Sequence, residues 1–103
     1  MKPRLPHTSE VRAPQLVKYR KLRKQFFRTH HICFVCRLKV PERGKELHHF
    51  YGRVGELLCY VPGFRLVHSG CHSMVENHRR EAVSFGWRAP EGLFNRPSKV
   101  IQK

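Results

Sequence analysis

The chain has no aspartate, and its acidic side chains are seven glutamates. Chemistry that needs paired aspartates is therefore excluded, and acid–base or metal work falls to histidine and glutamate. Long apolar runs are also missing: nothing approaches the roughly 20 residues of a membrane-spanning helix, so no membrane partner is expected. The opening Met1-Lys2-Pro3-Arg4 lacks the apolar core of a secretory signal. Without a secretory context the four cysteines read as thiols of a reducing cytoplasm rather than as two disulfides. There is no internal repeat and no low-complexity tract. At 103 residues the chain is one small domain, near the size at which an apolar core alone stabilises a fold only marginally. A structural metal would make up the difference.

What the chain has in excess is positive charge. Its formal charge is +14 and its pI near 10.6, which predicts association with a polyanion, nucleic acid first. Residues 1–13 read as a flexible basic arm. Pro14 is a favourable first helical residue, and Leu16, Tyr19, Leu22, Phe26 and Phe27 then follow at helical spacing to about His30. Lys18, Arg20, Lys21, Arg23, Lys24 and Arg28 are interleaved with them, with no anion between residues 14 and 30. A solvated charged face is the plain account of such a run. Six cations without one anion favour contacts to phosphates instead.

The centre of the chain, Cys33 to His78, threads two sets of ligand-type residues through one another. Cys33-x-x-Cys36 and His68-x-x-Cys71 form the first set, with the spacing that aims thiolates and imidazole at one tetrahedral zinc ion. A redox reading of Cys33-x-x-Cys36 requires a surrounding βαβ pattern, which is absent. Cys59 has no partner at this spacing and reads as a small buried hydrophobe. The second set is His48-His49 with His72 and then Glu76 or His78. Glu46 to Tyr51 reads as a strand, on which adjacent histidines face opposite sides and take separate roles. Phe64 to His68 reads as a second short strand, and Leu57 to Val61 as strand or buried loop. A helix opening at Ser69 or Gly70 and running to about Arg79 sets Glu76 about 40° around from His72, and His78 about 120° away. Glu76 is thus the preferred helical co-ligand and His78 the reserve. Glu81 to Phe85 form a last helical turn stopped by Gly86, Trp87 packs back on the domain, and residues 89–103 read as an irregular basic tail.

Cys33-x-x-Cys36, Leu47-His48-His49-Phe50-Tyr51-Gly52-Arg53, Leu57-Leu58, and Leu66-Val67-His68-Ser69-Gly70-Cys71-His72, closing with Glu81-Ala82 ahead of Gly86, resemble HNH endonucleases in their order. The likeness spans about residues 15–87 and is nearest to the small HNH proteins of bacteriophages. It implies a small α+β fold: a zinc-stabilised ββα-metal (treble-clef) core over residues 14–88, with the amphipathic basic helix at its N-terminus and basic tails. It implies that Cys33, Cys36, His68 and Cys71 hold a structural zinc. His48 and His72, with Glu76 at the third position, would ligate a catalytic divalent metal (magnesium, manganese, nickel or zinc). His49 would be the general base that activates water, and Arg53 would neutralise a phosphate oxygen. The expected activity is nicking or cleavage of DNA, in the cytoplasm of a bacterial host if the chain is phage-encoded, alongside phage packaging or replication proteins. The family's central Asn falls near Gly63 here, which leaves a backbone carbonyl to orient His49. From a different class, a non-catalytic zinc module binding nucleic acid accounts for the zinc set and the basic helix. A ribosome-associated zinc protein accounts for the size and charge alone. Neither has a use for His48, His49 and His72 together.

Overall fold

The computed structural model describes residues 6–101, with side chains described from residue 13. In chain order it places α1 (Pro6–Thr29), β1 (Glu46–His49), β2 (Phe64–Val67), α2 (Ser69–Asn77), α3 (Arg79–Ser84) and α4 (Pro97–Val100). Short 3-10 turns at Glu42–Gly44, Gly55–Cys59 and Val61–Gly63 join them. The result is a small α+β unit on a two-stranded antiparallel sheet, with Glu46 opposite Val67 and His49 opposite Phe64. No helix among the described residues is long and apolar enough to cross a membrane.

Strand alternation assigns the two faces of this sheet. Phe64 and His49 turn toward α1, where Tyr19 lies 5.4 Å from the His49 ring and Phe26 meets Phe64 edge-on at 5.7 Å. His48 and Glu46 turn the other way, toward His72 on α2. Cys33, Val40, Leu66 and Val67 are buried together under Phe26, Phe27, Phe34 and Cys71, so the core lies directly beneath the cysteine knuckle. The end of α1 is tied down by buried Lys45, which donates to the Phe27 carbonyl and pairs with Glu42 at 2.9 Å.

Several elements differ from expectation. Helix α1 starts at Pro6, not Pro14, so residues 6–13 of the expected arm are helical backbone; residues 1–5 lie outside the described residues. Pro14 sits inside the helix, where its missing N–H interrupts the hydrogen-bond ladder without ending it. The strands stop at His49 and Val67, short of Tyr51 and His68. Leu57 and Leu58 are buried in a 3-10 turn and not a strand. The helix after His68 breaks at His78, whose backbone (φ −124°, ψ 65°) is not helical, and resumes as α3. The tail is not irregular throughout. Ala89 N–H donates to the Phe50 carbonyl (3.0 Å), Asn95 N–H to the Tyr51 carbonyl (2.8 Å), and α4 follows; residues 102 and 103 are outside the described set.

Two glycines are held by geometry. Gly86 (φ +77°) closes α3: its N–H donates to the Val83 carbonyl (3.1 Å), and Trp87 N–H to that of Ala82 (2.8 Å), the paired bonds of a Schellman turn. Gly52 (φ +96°) lies against the C-terminal segment, where an added Cβ would come 2.0 Å from Asn95 Oδ1 and 2.9 Å from its backbone nitrogen. Gly52→Ala is expected to lower stability by about 2–4 kcal/mol, combining overpacking with an unfavourable φ. Gly70→Ala, inside α2 with nothing within 4 Å of the new methyl, should stabilise by about 0.5–1 kcal/mol. Denaturant melts of the two variants check both.

Candidate metal centres and the cleft beside them

The knuckle forms because its backbone folds onto its own sulfurs. Cys33 N–H donates to the Leu38 carbonyl (2.8 Å), Arg37 N–H to that of Cys33 (3.0 Å), and Arg37 takes a positive φ of 67° to turn the chain. Cys36 N–H points at the Cys33 sulfur (3.5 Å). Phe34 N–H donates to the Leu66 carbonyl (2.7 Å), which ties the knuckle to β2. His68 and Cys71, at the start of α2, complete the set. One ligand atom from each of Cys33, Cys36, His68 and Cys71 lies within 4.8 Å of all the others. His68 Nε2–H donates to the Lys39 carbonyl (3.1 Å), leaving Nδ1 for the cluster, 3.3 Å from the Cys36 sulfur.

The electrostatics of this cluster call for a cation. Burial first, then the neighbouring Cys33 and Cys36 sulfurs, push the Cys71 thiol up to about 12. Burial also raises the Cys33 thiol, but N–H donors from Cys36, His68 and Val35 outweigh it and bring the group down to about 6. Three thiols that cannot all ionise side by side become mutually compatible around a divalent ion, and the donor set of three sulfurs and one imidazole suits zinc. The cluster can hold a structural metal ion.

A second convergence joins His48, His72 and Glu76, again with one ligand atom from each within 4.8 Å of the others. His48 is 1% exposed, and its Nε2–H donates to the Trp87 carbonyl at 2.8 Å. That carbonyl is delivered by the Schellman turn at Gly86. The other nitrogen, His48 Nδ1, is buried with no hydrogen-bond partner among the described residues. His72 Nδ1–H donates to Glu46 Oε1 (2.9 Å), which leaves His72 Nε2 facing Glu76 Oε1 at 3.5 Å, across one turn of α2. Each imidazole therefore has one nitrogen on an orienting acceptor and the other not so engaged, the arrangement that ligating histidines have. A buried lone pair with no partner is costly, and a metal ion satisfies it. Burial holds the His48 imidazole down at about 4, so it is the neutral, ligand-competent form at pH 7.

The remaining residues divide as follows. His49 is on the opposite strand face from His48, 6% exposed, with Nε2–H donating to the Leu58 carbonyl (3.1 Å). Burial lowers its imidazole to about 4 as well. Gly63 is closely packed: an added Cβ would meet the Tyr51 ring at 3.1 Å and that of Tyr60 at 3.4 Å, so a side chain there requires the rings to give way. Arg53 is exposed, with its guanidinium 5.9 Å from the Tyr19 ring centroid. His78 caps α2 and lines an apolar hollow with Met74 and Phe85, apart from the metal cluster. Cys59 joins neither cluster; its thiol donates to the Gln15 carbonyl on α1 (3.4 Å). Lys18, Arg20, Lys21, Arg23, Lys24 and Arg28 are all exposed along α1.

A cleft of about 770 Å³ opens beside the second cluster, lined by His49, Arg53, His72, Glu76, Arg79 and Arg88 among others. Three guanidiniums against one carboxylate make it receptive to anions. Sequence reading missed Arg88, which belongs to no motif, and Glu46, whose role follows only from the strand's position beside α2.

Chelation tests the first cluster. Removing zinc from the chain, or replacing Cys71 with Ser, should lower bound zinc by one ion per chain and abolish the cooperative melt, read by metal analysis and circular dichroism. Unchanged zinc content in Cys71→Ser would remove this cluster from the account. Comparison with protein-family models, curated proteins and solved structures finds no match, so what the chain does rests on these residues.

Proposed function

We propose that the chain is a metal-dependent endonuclease of the HNH type, with a ββα-metal (treble-clef) core, that hydrolyses DNA phosphodiester bonds. Two observations carry this reading: buried His48 has a partnerless Nδ1, and its side chain converges with His72 and Glu76 beside a cationic cleft. Two imidazole nitrogens and one carboxylate oxygen suit a magnesium-to-zinc range of divalent ions. Such an ion, when bound, polarises the phosphate and stabilises the departing 3′ oxygen.

The chain's own residues supply the rest. His49 is neutral at working pH, and its commitment of Nε2–H to the Leu58 carbonyl fixes the tautomer, so Nδ1 carries the lone pair that accepts a proton from water. The Leu58 carbonyl thus does the orienting that the family gives to Asn. Arg53, Arg79 and Arg88 place positive charge where a pentacoordinate phosphate gathers negative charge. The cations of α1 extend the contact to flanking phosphates without reading sequence. The tight space at Gly63, and the packing of His49 against Tyr19 and Phe64, favour a second reading. On it, the chain is a zinc-stabilised nucleic-acid-binding module whose second site no longer catalyses.

Purified chain supplied with magnesium, manganese or nickel should nick supercoiled plasmid, and His49→Ala should slow nicking by roughly 10²–10⁴-fold at unchanged zinc content. Nicking unaffected by His49→Ala would sink the mechanism. Tight DNA binding with no nicking under any of the three metals would establish the binding module.

A further inference from the structure

Glu76 has two claimants. Its Oε1 faces His72 Nε2 at 3.5 Å, and its Oε2 faces the Arg88 guanidinium at 3.7 Å. The second separation is an ion pair but too long for a hydrogen bond, so the five N–H donors of the guanidinium are poorly used by Glu76. Arg88 is nonetheless held firmly. Its side chain is 10% exposed and its guanidinium lies 3.6 Å from the Phe94 ring centroid, a close cation–π stack. Phe94 is fixed in turn by the segment that pairs Asn95 N–H with the Tyr51 carbonyl. The guanidinium therefore stands as a fixed plate lining the cleft, with Arg79 as a second lining cation and Glu76, ahead of Glu91, as its counter-charge.

We infer that Arg88 exchanges Glu76 for a phosphodiester when Glu76 turns to a metal at His48 and His72, so that metal and phosphate tighten one another's binding. Both anions compete for one guanidinium. When Glu76 commits its charge to the metal, nearly buried Arg88 loses the stronger of its two acidic neighbours and keeps only Glu91, which is costly. A phosphate entering the cleft restores the pair with the planar, two-point geometry that arginine favours. Without metal, Glu76 both occupies Arg88 and repels the phosphate. The inference rests on the phosphodiester reading of the cleft, but its test is binding and not cleavage.

The probes are manganese, followed by the electron paramagnetic resonance of the free ion, and dimethyl phosphate, a diester too simple to chelate metal, followed by phosphorus NMR. In the zinc-loaded full chain, saturating dimethyl phosphate should tighten manganese binding by about tenfold, with the reciprocal effect of manganese on dimethyl phosphate. Arg88→Gln should reduce that coupling to within about twofold while manganese alone binds at least as tightly, since a competitor for Glu76 is gone. Arg88→Lys, which keeps the charge, should recover part of it. Glu76→Gln should weaken manganese binding and, zinc-loaded but without manganese, bind dimethyl phosphate several-fold more tightly than the parent chain. Coupling that persists in Arg88→Gln, manganese binding lost in that variant, or no gain of phosphate affinity in Glu76→Gln would each overturn the inference. Coupling without plasmid nicking would overturn only the nuclease reading, and nicking without coupling only this one.

Discussion

Three cysteine sulfurs drawn, with an imidazole nitrogen, within 4.8 Å of one another repel as thiolates, and a metal cation among them turns the repulsion into cohesion. The buried core around this cluster is small: Cys33, Val40, Leu66 and Val67, roofed by side chains of α1 and the knuckle. The cluster ties the turn after α1 to the junction between β2 and α2. Everything downstream inherits that junction. His72 follows Cys71 directly, so an ion held by Cys71 would also set where α2 begins and how its first turn is rotated. From that rotation come the approach of His72 to His48 and the position of Glu76 one turn later.

Backbone carbonyls set the three inner imidazoles of the domain. Lys39 does so for His68, Trp87 for His48 and Leu58 for His49. None of these partners is chosen by its side chain. The Trp87 carbonyl is where it is because Gly86 reverses the chain, and the Leu58 carbonyl because two leucines are buried in a 3-10 turn. A site oriented by main-chain acceptors keeps its imidazoles aimed without a side-chain orienter.

This also explains which parts of the site could be read from the sequence. The first cluster was legible because the x-x spacing confines its ligands to two tight local turns. Glu76 was preferred over His78 by helical arithmetic alone, and it is Glu76 that joins His48 and His72. The opposite facing of His48 and His49 followed from strand alternation. Arg88 was invisible because its importance arises from a stack on Phe94 and a pairing with Glu76, neither of which leaves a periodic trace. The order after Ala89 is equally hard to read: short turns from Pro90 to Ile101 are anchored by single main-chain bonds to Phe50 and Tyr51, nearly forty or more residues earlier in the chain. At the other end, Pro14 carries a strong local preference for a helix start, yet the helix runs through it from Pro6. Local preference was a poor guide there.

The contiguity of Cys71 and His72 limits how this chain can change length. An extra residue placed between them would turn the rest of α2 by about 100°, carrying His72 and Glu76 away from His48 while Cys71 stayed with its cluster. The loop from Gly52 to Gly55 and the stretch from Pro90 to Phe94 border the cleft without linking the two clusters, so outside the Gly52–Asn95 contact and the Phe94–Arg88 stack they are free of this restriction. Length variation that survives in such a lineage would therefore accumulate around the rim of the cleft, where it alters what enters, and stay out of the nine residues from His68 to Glu76.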